Sequence, residues 1–188
     1  MKKLFTLIML SLVCFDAAQA QTVKITKTDG SVVTMATSEV KSIEILPAES
    51  LAGTYTGTDT LNFTMGQAYK TTAENVQFVV EMNSDSTLNV TIPEETFDFS
   101  ATVPMVGKIV QGTYTIKNIP YDTTKKAYYL DYTNNATANV TVFGKAKDYT
   151  VTKGIVTVTF SGSTVTIENE HKFGNMPMEL YATFVGTK

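Results

Sequence analysis

Few side chains in this sequence are of types that could catalyse a reaction. The residues around them indicate which reactions are possible. His171 is the single histidine of the 188 residues, so a histidine general base would have to be this residue. It stands in Glu168-Asn169-Glu170-His171-Lys172, a polar stretch before Gly174 that predicts a solvated turn. No serine stands in a Gly-x-Ser-x-Gly elbow. The sequence therefore gives no support to a serine–histidine hydrolase.

The densest carboxylates are Glu94 and Glu95, with Asp98 beyond them. Neighbours on an extended chain point to opposite faces, so Glu94 and Glu95 do not converge on one atom as a glycosidase pair does. Following Pro93, they are expected to solvate a connection. No run has the spaced oxygen ligands of a calcium loop. We therefore predict a protein that is not an enzyme and has no metal or cofactor.

The first twenty residues predict a signal peptide. Lys2 and Lys3 precede an apolar run from 4 to 15 that is too short to span a bilayer. Ala18-Gln19-Ala20 supplies the small residues that signal peptidase reads, so the mature chain is expected to begin at Gln21. The prediction is export to the periplasm, the cell surface or the medium.

Cys14, the one cysteine, lies inside that apolar run. Val13 precedes it, where lipoprotein processing requires a small residue, so we do not expect lipid anchoring. The mature domain would then fold without disulfides. No second apolar stretch approaches the roughly 20 residues of a membrane span.

The charged residues narrow the choice of partners. All fifteen basic residues are lysines, and the formal net charge is −3 at pH 7. Without arginine there is no planar fork for bidentate phosphate recognition, so a nucleic-acid partner is not expected. A small apolar molecule, a protein or a glycan remain as partners.

Apolar residues recur at every second position in short runs, which predicts an almost all-β protein. In the run from 51 to 63, Tyr55, Leu61 and Phe63 share one face and the threonines share the other. Similar runs follow to the end of the chain. Closing such a series into a small antiparallel up-and-down β-barrel of about eight strands removes exposed edges. A two-sheet sandwich with Greek-key connections is the alternative.

Residues 21–50 predict a separate short β unit with a linker. Val23 and Ile25 alternate, Asp29-Gly30 predicts a tight turn, and Val40, Ile43 and Ile45 follow later. Pro47-Ala48-Glu49-Ser50 reads as the linker. The predicted organisation is a signal peptide over 1–20, the β unit and linker over 21–50, and the barrel over 51–188.

Four short motifs occur along the predicted strands: Ala52-Gly53-Thr54-Tyr55-Thr56-Gly57, Gly112-Thr113-Tyr114-Thr115-Ile116 with Asn118-Ile119-Pro120, Met176-Pro177-Met178, and Phe184-Val185-Gly186. Together they resemble the calycin-like, lipocalin-like domain of exported Bacteroidetes proteins. The resemblance implies a lipocalin-like barrel. Lipocalins proper carry a glycine, one residue and a tryptophan on the first strand, packed under an arginine; here Tyr55 stands at the tryptophan position, and the chain has no arginine.

Two functions follow from the barrel. Soft aromatic and thioether side chains expected to face inward would suit an amphiphilic guest, and these ligand-lining candidates are Tyr55, Met82, Tyr114, Tyr128, Tyr132 and Met178. Alternatively the same side chains fill the barrel. The protein would then be an interaction module that binds a protein or glycan through its loops, as an inhibitor or adhesin component does.

Three aspartate-led tripeptides resemble the O-glycosylation pattern of Bacteroidetes. They are Asp59-Thr60-Leu61, Asp85-Ser86-Thr87 and Asp122-Thr123-Thr124. Thr60, Ser86 and Thr123 are therefore candidate modification sites.

Overall fold

The computed structural model describes residues 22–26, 31–39 and 51–188. The signal peptide, Cys14, the Asp29-Gly30 turn, the Val40–Ile45 segment and the linker all lie outside these ranges. The N-terminal piece and the rest of the chain are separate compact units. In the N-terminal unit, β1 (Thr22–Thr26) pairs antiparallel with β2 (Val32–Ala36), and one 3₁₀ turn (Thr37–Glu39) follows.

Residues 51–188 form twelve strands, all paired antiparallel. No helix in the described ranges is long and apolar enough to cross a membrane. In chain order the strands are β3 (Gly53–Met65), β4 (Gln67–Met82), β5 (Leu88–Ile92), β6 (Glu95–Asp98), β7 (Lys108–Gln111), β8 (Tyr114–Ile119), β9 (Tyr121–Asp122), β10 (Ala127–Asp131), β11 (Thr137–Val142), β12 (Lys145–Ser161), β13 (Thr164–Phe173) and β14 (Leu180–Thr187).

These twelve strands are eight runs of chain, because three runs are interrupted. The interrupted runs are β5–β6, β7–β9 and β10–β11; the other five strands are continuous. Pro93, which has no N–H for a ladder, separates β5 from β6, and Gly112 follows β7. Each run pairs with its neighbours in sequence, which is a meander and not a Greek key. The all-β, up-and-down prediction is confirmed; the strand count exceeds eight because of these interruptions.

The sheet curls until its two sides approach each other. From β12 the order runs through β13, β14, β3, β4 and β5 to β8, while β10 and β11 pair with the other edge of β12. Between β8 and β10 the Tyr129 amide donates to Pro120 O at 3.0 Å. Between β4 and β6, Thr71 Oγ1 donates to the carbonyl of Asp98 at 3.3 Å.

Alternation along the strands sends every second side chain inward, where the core forms. On β3 the inward residues include Tyr55, Leu61 and Phe63, all at most 1% exposed, as the sequence predicts. Phe78 of β4 stacks on Phe184 of β14 with ring centroids 4.0 Å apart. Loop 99–107 folds over one end, because its Phe99, Val103 and Val106 are buried.

Candidate functional site

Polar side chains collect inside the barrel beside irregularities in its strands. We call this region the waist, and its residues are Asp59, Glu95, Gln111, Tyr114, Tyr132 and Asn169. Asp59 follows a β-bulge after Gly57, and Glu95 follows the Pro93 break. Gln111 ends β7, and Tyr132 follows the last residue of β10. Bulges and breaks re-aim side chains and concentrate near functional sites. The waist is therefore the first candidate site.

The centre of the waist is a pair of buried carboxyl groups. Asp59 and Glu95 are each 2% exposed and lie within hydrogen-bonding reach of one another. Among the described residues, Asp59 Oδ1 and both carboxyl oxygens of Glu95 lack a hydrogen-bond partner. Burial raises the pKa of Asp59 above its usual range. Burial, followed by the charge of Asp59, raises the pKa of Glu95 further. Such a pair can hold a proton that an exposed carboxylate would release.

Next to this pair, an amide joins two tyrosines. Tyr132 OH donates to Asn169 Oδ1 at 2.6 Å, and Asn169 Nδ2 donates to Tyr114 OH at 2.8 Å. Burial raises the pKa of both phenols. Gly154 of β12 is required here, since a Cβ on it would lie 2.7 Å from the Tyr132 ring. The tyrosines are therefore held as neutral hydrogen-bonding groups in a fixed position.

His171 contradicts the sequence prediction of a solvated turn. It lies on β13 and is fully buried, with its ring edge-on to Phe173 at 4.9 Å between centroids. Its Nδ1 is 3.2 Å from Asn169 O, and its Nε2 has no partner among the described residues. Burial lowers the pKa of His171 to about 4. The ring is therefore uncharged at neutral pH.

The prediction that Glu94 and Glu95 both lie in a solvated connection is correct for Glu94 and wrong for Glu95. Glu94 is exposed, but Glu95 begins β6 and points into the barrel. The missed signal was alternation: Glu95 is in phase with Phe97 and Phe99, which are both buried. Asp59 is likewise in phase with Leu61 on β3. Gln111 and Asn169, each 4% exposed, were also missed; the phase of Asn169 with Ile167 and Phe173 would have identified it.

Most of the ligand-lining candidates lie in the packed core, and two are partly exposed. Tyr55, Tyr114, Tyr132 and Met178 are at most 5% exposed within the core. Tyr128 is half-buried and meets the Phe160 ring edge-on at 6.1 Å. Met82 ends β4 and is 39% exposed, so its predicted place on an enclosed wall is wrong. β4 ends at Met82, so this residue lies at the rim of the barrel. Alternation along a strand does not reveal where the strand ends.

The waist does enclose a void, but a small one. Its volume is about 10 Å³, enough for about one water molecule. Its lining consists of Asp59, Phe78, Ile92, Gln111, Ile167, Asn169, Ala182 and Phe184. None of the six predicted ligand-lining residues contributes to it.

On the outer face of β12, β13 and β14 lies a shallow groove of about 260 Å³. Its walls include Glu168, Glu170 and Tyr181. Lys153 pairs with Glu170 and, at 2.8 Å, with Glu179. These carboxylates are therefore already partnered or solvated, unlike those at the waist.

A second unusual surface lies at one end of the barrel, and we call it the tip: Met105 in the β6–β7 loop and Phe143 in the β11–β12 turn. β7 pairs with β11, so the loop and the turn lie at the same end. Met105 is 71% and Phe143 56% exposed. Phe143 has φ +53° and Gly144 has φ +70°. Asparagine and glycine suit such a two-residue turn, whereas a phenylalanine is strained there.

The candidate glycosylation residues fall in two settings. Ser86 and Thr123 are exposed in turns. Thr60 lies within β3, between Thr72 of β4 and Thr183 of β14. The aspartate before it points into the waist, so the folded strand hides part of that motif. Within the described ranges, no three histidine or acidic side chains cluster as a metal site.

Tyr55 on β3 is held both at its hydroxyl and at its ring face. Tyr55 OH donates to Leu51 O at 2.9 Å, and Lys188 Nζ lies 5.4 Å from the centre of the Tyr55 ring. A cation over an aromatic face at this distance is attractive. These two contacts fix Tyr55 beside the last residue of the chain.

Comparisons with known proteins agree with this architecture. A family model described as the calycin-like beta-barrel domain matches residues 51–187. Neither the curated proteins nor the solved structures gave a significant match. Since the match covers most of the chain, from the strand that carries Tyr55 to the end of β14, this protein belongs to the calycin-like β-barrel family.

Proposed function

We propose that the protein is an exported, non-enzymatic binding module whose filled barrel is a scaffold and whose tip contacts a protein partner. The observation that carries the proposal is Phe143, a large apolar side chain exposed on a strained turn. Strain of this kind persists where the surrounding structure enforces it, and it concentrates at functional positions.

The filled interior supports an external contact. At one end loop 99–107 covers the core. At the other end, Phe160 packs against Tyr55 and Tyr128, each at 6.1 Å between ring centroids. Between the ends, the void at the waist holds about one water. An amphiphilic guest needs hundreds of cubic ångströms, so this conformation has no room for it.

The chemistry of the tip favours a protein over a glycan. Met105 and Phe143 offer adaptable and aromatic apolar surface, the types that anchor protein interfaces. Lys145 and Lys147, both exposed on β12 beside the turn, add positive charge. A partner with an apolar pocket and an acidic rim would therefore fit the tip.

A photo-crosslinking amino acid tests this contact in intact source cells. Placed at position 143 it should give a discrete adduct, whereas at position 124, in the exposed β9–β10 turn, it should not. Wild-type protein, added as competitor, should reduce this adduct, whereas the Phe143→Asn variant should not. Asparagine suits the turn, so the variant should be at least as stable as wild type. Equal adducts at both positions, or none at 143, would refute the tip as a binding surface.

An interior guest is the second candidate, and the unpartnered oxygens of Asp59 and Glu95 favour it. Such a guest would have to be very small and donate hydrogen bonds. Titration with an apolar fluorescent dye tests whether the barrel opens to a larger, amphiphilic guest. Wild type should give no saturable signal, while Phe184→Ala, which enlarges the void, should bind dye and so show that the assay detects a cavity. Stoichiometric binding by wild type would restore the interior site.

Export and modification are parts of the same proposal. The apolar start of the chain and the Ala18-Gln19-Ala20 site support cleavage before Gln21. Amino-terminal sequencing of native protein should therefore begin at Gln21.

The intact mass of native protein should exceed that of the bare polypeptide if Ser86 or Thr123 carries a glycan. Equality of the two masses would exclude modification.

A further inference from the structure

The buried carboxyl pair joins two strands that have no backbone ladder between them. β6 pairs with β7 along one edge. Along its other edge, among the described contacts, Thr71 Oγ1 of β4 donates to Asp98 O. Asp59 is opposite Ala73 of β4 and reaches past that strand to Glu95. We call this boundary between β4 and β6 the seam.

Ionisation decides whether the pair attracts or repels. Two carboxylates are acceptors only, whereas one added proton converts one oxygen into a donor. Asp59 Oδ1 and both Glu95 oxygens have no other partner among the described residues. At 2% exposure, water cannot screen two negative charges. One proton shared by the pair therefore forms a hydrogen bond between the two carboxyl groups, whereas without that proton two buried negative charges repel each other.

We propose that Asp59 and Glu95 form a binding site for a single proton that holds the seam of the barrel closed, and that loss of this proton loosens β6 from β4. The site lies beside the void lined by Asp59 and Gln111. Loosening of β6 would admit water to the waist, which is sealed in the closed form.

The residues around Asp59 and Glu95 supply no positive charge that could offset the loss of the proton. Titratable neighbours across the interior are Tyr114 on β8, Tyr132 after β10 and His171 on β13. The residues opposite the pair or beside the adjoining void are uncharged, namely Ala73 opposite Asp59, Gln111 opposite Glu95, and Ile92 and Phe184 beside the void. Burial keeps His171 neutral and both tyrosines protonated near neutral pH. No cation among these residues compensates the pair.

The sign of the pH effect follows from linkage. A carboxyl group whose pKa is raised on folding contributes stability that is complete below its unfolded pKa and is lost as pH rises through the folded pKa. The barrel should therefore weaken toward alkaline pH. His171, with its lowered pKa, acts in the opposite direction and only below about pH 6.5. Tyrosines respond above about pH 10. Between about pH 7 and about pH 9 the pair acts alone among the shifted groups.

The test measures urea unfolding of the mature chain across this window. For wild type, one linked proton predicts that the folding equilibrium constant falls by up to about tenfold per pH unit. E95Q should abolish this dependence, because an amide donates without a titrating proton. D59N should only weaken it, because Glu95 stays buried when the charge of Asp59 is removed. E94Q changes the exposed neighbour and should behave as wild type does. Hydrogen exchange at about pH 9 should show β6 amides losing more protection than β13 amides.

Two results would overturn the inference. If E95Q and D59N keep the wild-type pH dependence, the pair binds no linked proton. If the dependence disappears in E95Q but β6 and β13 lose protection equally in wild type, the proton does not act on the seam. Neither result bears on the tip, so failure here is distinct from failure of the proposed partner contact.

Discussion

The waist and the tip depart from ordinary folding rules in opposite ways. At the waist, Asp59 and Glu95 place carboxyl groups where apolar side chains would pack. At the tip, Phe143 places an apolar ring in water, on a turn that suits asparagine. Local choices that oppose stability persist where function requires them. Under the two proposals above, the waist acts as an internal proton site and the tip as an external contact on the same scaffold.

Matched phenylalanines give the largest contrast. Phe184→Ala should lower the free energy of unfolding by about 3–5 kcal/mol, because it deletes a buried ring beside the existing void. Phe143→Ala should cost far less, since its ring is mostly in water. Urea denaturation of both variants measures the difference. Comparable losses would mean that Phe143 is a structural residue, and the tip would lose its functional interpretation.

Matched glycines should give a smaller contrast. Gly154→Ala places a Cβ 2.7 Å from the Tyr132 ring, so we expect a loss of about 1–3 kcal/mol. Gly144→Ala meets no atom within 4 Å, and its cost of about 1 kcal/mol comes from positive φ alone. Thermal unfolding distinguishes the two. If Gly154→Ala is neutral, the Tyr132 ring is free to move and the waist is less rigid than its hydrogen bonds indicate.

Among the three buried positions, the matched tyrosine should show the smallest loss of stability. Tyr132→Phe removes the donor to Asn169 Oδ1 and leaves a buried acceptor unpaired, a loss of about 1–2 kcal/mol. Tyr121→Phe, at a side chain 51% exposed, should leave stability unchanged. Equal effects in chemical denaturation would show that water reaches Asn169, contrary to the sealed waist.

Alternation along the chain predicted much of the fold, because a strand places every second side chain on the same side. It located Tyr55, Leu61 and Phe63 inside β3 and recovered the meander. The same rule, applied to polar residues, would have placed Asp59, Glu95 and His171 inside. The sequence predicts solvated segments for Glu95 and His171, because charged side chains are usually excluded from cores, and it makes no burial prediction for Asp59. For these residues the position in the strand decides burial, and the chemical type of the side chain does not.

The sequence by itself determined the all-β class, the inward and outward faces of the runs and the absence of arginine and of a serine-elbow motif, since these depend on residue type and on spacing along one chain. Only the tertiary structure decided that Asp59 and Glu95 meet and that Tyr55 lies under Lys188. Those facts depend on which distant strands become neighbours, and a repeating two-residue pattern carries no information about distance between strands.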